Sequence, residues 1–131
     1  MKYILLMSGS KSGVDGYRAW PQRDRDAHMA ILHGIQNDLV ESGEFVATQG
    51  LSGPAEAKMV RGFKDGIPIT DGVFPESKEF LLGYWIVDVA TAERACEIAA
   101  RISAAAGPDG KPTNMPMEVR QFATYPERKA K

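Results

Sequence analysis

Residues 70–79, Thr-Asp-Gly-Val-Phe-Pro-Glu-Ser-Lys-Glu, set three carboxylates and one lysine around a glycine. Carboxylates crowded beside a cation have displaced pKa values, which suits them to give up or take a proton near neutral pH. Asp71-Gly72 reads in one sense as a turn, with Gly72 supplying positive φ and Asp71 bonding local backbone. In the other sense the turn aims Asp71, Glu76 and Lys78 into a cleft at the open end of a sheet. Both can hold at once. Glu76 and Lys78 are two residues apart, so in extended chain they point the same way.

Arg120 alternates with Val119 and Gln121 near the C-terminus. It is an ion-pair partner for Glu76, Glu79 or Glu118, or a clamp for a substrate carboxylate or phosphate. His28 and His33 fall in one helical segment. At 100° per residue, His28 lies in the apolar arc beside Leu32 and Leu39, and His33 at its border next to Met29 and Val40. A border histidine commonly packs rather than reacts, yet imidazole titrates near neutral pH and is a ready general base. The expectation is that Asp71, Glu76, Lys78 and Arg120 converge on one polar site with His33 or His28 at its margin.

Other chemistries lack their residues. The histidine spacing misses the i, i+4 pair that puts two metal ligands on one helical face, so no metal is expected. Gly9, Gly13 and Gly16 do not form a dinucleotide or phosphate loop, no Gly-x-Ser-x-Gly elbow occurs, and no cofactor is expected. The single cysteine, Cys96, excludes an internal disulfide and a cysteine-based zinc motif, and reads as a small buried residue on a helix. Tyr84 and Trp85 could stack on a planar ligand, although strand aromatics more commonly serve the core or a dimer contact.

The elements that must position these residues follow from the pattern. Tyr3–Met7 is a short apolar strand, and residues 8–20 read as a loop. A helix runs from about Pro21 or Asp24 to Ser42 and is stopped by Gly43. Glu44–Gly50 and Ala57–Lys64 are strands, and Asp65-Gly66 marks a hairpin before the short run Ile67–Thr70. Phe80–Val89 is the longest strand. Thr91 caps a second helix, with Glu93 in its first turn, that ends near Gly107-Pro108. A flexible segment leads past Pro116 to a last strand, Met117–Phe122, and a frayed polar tail, Tyr125–Lys131. The order is that of an α+β domain of ferredoxin-like plan, one domain over residues 1–131.

The 70–79 segment resembles the signature of the YCII-related (DGPF-domain) family, Asp-Gly-Pro-Phe followed by Glu, Lys and Glu. Asp71, Gly72, Phe74, Glu76, Lys78 and Glu79 stand in the expected places, and Val73 replaces the proline. Met1-Lys2-Tyr3 and Glu118-Val119-Arg120 extend the resemblance along almost the whole chain. It implies a ferredoxin-like sandwich paired sheet to sheet as a dimeric α/β barrel. The sheet pattern agrees, since two helices cover one face and leave apolar residues such as Tyr84 or Trp85 wanting a partner. Some members carry a histidine near the first helix paired with an aspartate as a proposed catalytic dyad. Neither His28 nor His33 falls in that register when Gly43 anchors the alignment.

Composition bounds the partners. The chain has 131 residues, 44% of them hydrophobic and 25% charged, which is ordinary for one globular domain. Sixteen Lys and Arg against seventeen Asp and Glu leave no cationic surplus for a phosphate backbone, so nucleic acid is not an expected partner. The apolar start, Met1–Met7, gives way to Ser-Gly-Ser-Lys with no cleavage site, and nothing approaches the ~20 apolar residues of a membrane span. A cytoplasmic homodimer is expected. Three roles stay open. One, implied by the family resemblance, is a cofactor-free enzyme acting on a small organic acid by proton transfer, elimination or isomerisation, with Asp71, His33 or His28 moving the proton and Lys78 and Arg120 holding the anion. Another is a metabolite-binding or regulatory module, and the last is a structural dimer.

Overall fold

The computed structural model describes residues 1–72 and 79–124. Strand β1 (Lys2–Gly9) buries Tyr3 and Leu5 and leaves the alternate Ile4 and Leu6 half-buried, as the two-residue period of a strand requires. It pairs antiparallel with β5 (Phe80–Asp88) on one side and with β6 (Met117–Gln121) on the other. Strand β2 (Phe45–Gly50) adds to the far side of β5, so the sheet order is β2-β5-β1-β6. Leu5 sits opposite both Trp85 and Val119, and Tyr3 opposite Val87. The molecule is an α+β domain.

Residues 8–20, expected as a loop, contain a helix, α1 (Lys11–Ala19). The Ser10 hydroxyl accepts the Gly13 N–H at 3.0 Å and caps it. Gly13 and Gly16 conceal the pattern, and only Val14 and Tyr17 mark an inner side. Helix α2 (Gln22–Ser42) starts after Pro21 and ends at Gly43, which takes the left-handed conformation with φ 79°. Of its 21 residues only Ile35 and Leu39 are buried. The apolar arc is therefore narrower than expected, since Met29 and Val40 are exposed. Helix α3 (Ala92–Ser103) is capped by the Thr91 hydroxyl, which accepts the Arg94 N–H at 3.1 Å. It buries Ala95, Ile98, Ala99 and Ile102.

Cys96 is exposed, which corrects its assignment as a buried residue. It lies one position, or 100°, past Ala95, and the stripe through Ala95, Ile98, Ala99 and Ile102 already fills the sheet-facing side. Helix α3 also stops at Ser103, short of Gly107. The chain after it folds back on the helix end, where Ser103 O accepts from both the Thr113 hydroxyl (2.9 Å) and the Asn114 N–H (2.9 Å). The Ser103 hydroxyl in turn donates to Met115 O at 2.6 Å. The segment expected to be flexible is thus tied down by the carbonyls a helix C-terminus leaves unpaired.

Helices α2 and α3 cover one face of the sheet, where Tyr3, Leu5, Trp85 and Val87 meet Ile35, Leu39 and the α3 stripe. Each fully buried aliphatic or aromatic side chain contributes roughly 1.5–3 kcal/mol. Trp85 belongs to this covered side, edge-on to Phe45 with ring centroids 6.3 Å apart. It is not on the open face. By alternation Ile4, Leu6, Tyr84 and Ile86 turn to the opposite face, together with Arg120, which is paired to Ile4, and Glu118, which is paired to Leu6.

Between β2 and β5 the chain forms a separate two-stranded sheet, β3 (Lys58–Lys64) with β4 (Ile67–Gly72). Asp65 and Gly66 both have positive φ, 55° and 78°, as a two-residue type I′ hairpin turn requires. Asp71 and Gly72 pair with Met59 and Lys58, so this dipeptide ends a strand rather than making a turn. Strand β4 runs two residues beyond Thr70 because β3 is long enough to pair them. Residues 58–71 are exposed throughout, and Phe63 and Ile67 stand 73% and 68% in solvent. No helix among the described residues is long and apolar enough to cross a membrane.

Arg94 ties α3 to the start of β2. Its Nε and Nη2 donate to the two carboxylate oxygens of Glu44, both at 2.9 Å, and the Ser42 hydroxyl donates to the same group at 2.8 Å. The Arg94 hydrogen bonds hold the Glu44 carboxyl below its ordinary 4.5, against the opposing effect of burial. A carboxyl with a lowered folded pKa stabilises the fold above its unfolded value, and that stability is lost as pH falls through the folded value. Arg94→Gln should cost about 1 kcal/mol at neutral pH, as expected for a two-point, partly exposed pair. Thermal unfolding should show the difference from the parent shrinking as the pH is lowered below 4.5.

Candidate functional site

Helix α2 seats its C-terminal half on the sheet through Ile35 and Leu39, and its N-terminal half overhangs a cavity of about 800 Å³. That volume is within the usual range for small-molecule sites. Met7, Thr48, Gly83 and Trp85 form the sheet wall. Gly83 is needed there, because a Cβ would lie 2.9 Å from the Gln49 carbonyl oxygen on the neighbouring strand. Helix α1 closes another side through Val14 and Tyr17, with Trp20 just beyond its end, and the chain after α3 closes a third through Gly107, Thr113 and Met115.

His28 is the best-defined polar group of the cavity. It stands seven residues before Ile35, nearly two turns, so the face that buries Ile35 also carries His28 inward. Its Nδ1 lies 3.0 Å from the backbone oxygen of Ala106. A carbonyl oxygen only accepts, so Nδ1 carries the proton and donates. In the neutral ring the lone pair is then left on Nε2. The ring stands edge-on to Trp20, with centroids 5.5 Å apart, and to Tyr17 at 6.3 Å, while Tyr17 and Trp20 themselves are 4.9 Å apart. Trp20 seats against Gly107, where a Cβ would lie 2.7 Å from the indole ring. Neighbouring residues, Ala106 and Gly107, therefore fix the histidine and the tryptophan.

The remaining polar groups divide by charge. Arg18 and Lys111 line the cavity with His33, Gln36 and Thr48, whereas no aspartate or glutamate among the described residues does. The Thr48 hydroxyl is committed to the Tyr84 backbone oxygen at 3.0 Å. His33, like Arg18 and Lys111, is exposed where it lines the cavity.

Of the residues singled out by sequence, the structure brings His28 and His33 to this cavity. Asp71 is exposed at the end of β4, outside the cavity wall. Arg120 is exposed on the sheet face turned away from α2 and α3, opposite to the side that carries the cavity. Glu76 and Lys78 lie outside the described residues. Sequence reasoning missed Arg18, Tyr17 and Trp20. The signal for them was the Ser10 cap followed by Val14 and Tyr17 three residues apart. Lys111 carries no such signal, because only the folding back of residues 104–116 brings it to the cavity.

The model of the YCII-related domain matches residues 1–109 of this chain, a stretch that holds β1 to α3 and both histidines. An uncharacterized protein of Rhizobium meliloti (strain 1021) is 30% identical over 125 residues, covering 95% of this chain and 94% of its own length.

The His28 hydrogen bond can be tested without a ligand. Nitrogen-15 NMR of the neutral ring should find Nδ1 protonated and Nε2 bare. His28→Ala leaves the Ala106 carbonyl unpaired and should cost about 1 kcal/mol of stability. His28→Asn, whose amide can replace the Nδ1 donor, should recover part of that loss in thermal or urea unfolding.

Proposed function

This chain belongs to the YCII-related family, and from that footing we propose that its cavity is a cofactor-free acid–base site acting on a small organic molecule. His28 moves the proton, in a proton-transfer, elimination or isomerisation step. One observation carries the reading: the Ala106 carbonyl holds Nδ1–H and leaves the Nε2 lone pair for a ligand. A base fixed by a second group and facing a concave, mainly apolar volume is the arrangement such chemistry needs. His33, exposed on the cavity lining, is the second imidazole of the site.

A non-catalytic binding module is the second reading, and it too has an observation behind it. The group that orients His28 is a neutral carbonyl, and no carboxylate among the described lining residues stands beside it. Deuterium exchange separates the two. The protein is incubated in D2O with a panel of small unsaturated and keto acids, and loss of C–H signals is followed by proton NMR. The enzyme reading expects exchange or isomerisation of at least one member, abolished by His28→Asn. Ligand binding with no exchange across the panel would leave the module reading in its place.

The strand order and the two long helices on one face support a ferredoxin-like sandwich, with β3–β4 inserted before β5. We extend this to a homodimer in which two open sheet faces meet as a dimeric α/β barrel. Ile4, Leu6 and Ile86 on that face are apolar, and a stable pairing commonly buries more than ~1,200 Å² in total. Arg120, standing on the same face, contacts the second copy in this arrangement rather than a substrate in the cavity. Asp71, exposed at the end of β4, is assigned to the periphery of the dimer. Light scattering at micromolar concentration should give about twice the 14.3 kDa chain mass. A monomer that stays monomeric at high concentration would sink the pairing.

A further inference from the structure

The cavity wall is unbalanced in charge. Arg18 comes from the last turn of α1 and Lys111 from the chain after α3, and neither has an ion-pair partner among the described residues. Elsewhere the described arginines of α3 are paired, Arg94 with Glu44 and Glu97, and Arg101 with Asp38. Other described cations are unpaired as well, but Arg18 and Lys111 are the Lys and Arg residues that line this mainly apolar cavity. Arg18 lies along the chain at Gly53. Its Nη2 presses so closely on Gly53 that a side chain at that position would displace it.

The apolar part of the wall has a shape of its own. Tyr17, Trp20, Leu32 and Trp85 supply flat and branched surface. A volume of about 800 Å³ accommodates an occupant larger than a simple inorganic anion. Cations without carboxylates attract a negative group and repel a positive one, most strongly where low-dielectric walls focus the field. A guanidinium matches a carboxylate in shape as well as in charge.

We propose that the cavity takes a one- or two-ring organic acid bearing a single carboxylate, which Arg18 and Lys111 hold while the ring lies among Tyr17, Trp20 and Trp85. This rests on the reading of the cavity as the site where His28 acts, and it adds the class of ligand. Nothing in the sequence alone selects Arg18 or Lys111 over the other fourteen basic residues of the chain.

Isothermal titration at low ionic strength tests the assignment with three probes of nearly one shape: 2-naphthoate, its neutral amide, and 2-naphthylmethylammonium. The acid should bind at least about tenfold more tightly than the amide, the size expected for hydrogen bonds to charged groups. The ammonium compound should bind weakest. Arg18→Gln with Lys111→Gln should erase the acid's advantage while melting at the parent temperature, since both residues are exposed. Equal binding of acid and amide overturns the proposal, as does tightest binding of the ammonium, survival of the preference in the double variant, or failure of all three to bind. Deuterium exchange that depends on His28, found together with equal binding of acid and amide, would sink the acid assignment and leave the proton-transfer reading standing.

Discussion

The structure turns on a mismatch between α2 and the sheet that it covers. Ile35 and Leu39 lock the C-terminal half of the helix over Trp85 and Val87, and no buried residue fixes the N-terminal half. A helix of this length spans about 30 Å at 1.5 Å per residue, so the free half extends past its two anchors by several turns. Something has to support it. The chain answers with α1 on one flank and with residues 104–116 folded back on the other, and the space left between these supports is the cavity. The site is thus a consequence of anchoring a long helix at one end.

The same mismatch explains which part of the fold was legible. Strands β1, β5 and β6, helix α3 and the ends of α2 follow from alternation, from Gly43 and from Thr91, because each depends on neighbours in sequence. Helix α1 escaped because Gly13 and Gly16 lower its propensity and it buries no residue of its own. Cys96 was misplaced because adjacency to Ala95 in sequence means a rotation of 100° on a helix. The hairpin turn at Asp65-Gly66 was readable, since positive φ at both positions has a known residue preference, but how far β4 would run beyond it was not.

The candidate site divides along the same line. His28 could be placed because the period of α2 puts it on the face of Ile35. Its partner, the Ala106 carbonyl, could not, since it lies 78 residues away in a segment with no regular pattern. The carboxylate-rich stretch drew attention because charged side chains near a glycine stand out in any sequence. Side chains that build a pocket wall from three separate segments leave no comparable mark. Arg18 and Lys111 are ordinary surface cations until the fold faces them toward one volume.

Hairpin β3–β4 gives the molecule two tiers of stability. Its ladder is closed by the Asp65-Gly66 turn, but its side chains, Phe63 and Ile67 among them, are left in water. A two-stranded sheet without a packed face is marginal by itself, and opening it breaks no part of the core. Its amides are therefore set to exchange with solvent through local opening, while those of β1 and β5 exchange only when the whole domain unfolds. A region so weakly held gains order from whatever covers it, and the slowing of its exchange reads out occupancy of that surface directly. The hairpin is in this sense a built-in reporter, placed between β2 and β5 at a point where changes in its own order leave the sheet undisturbed.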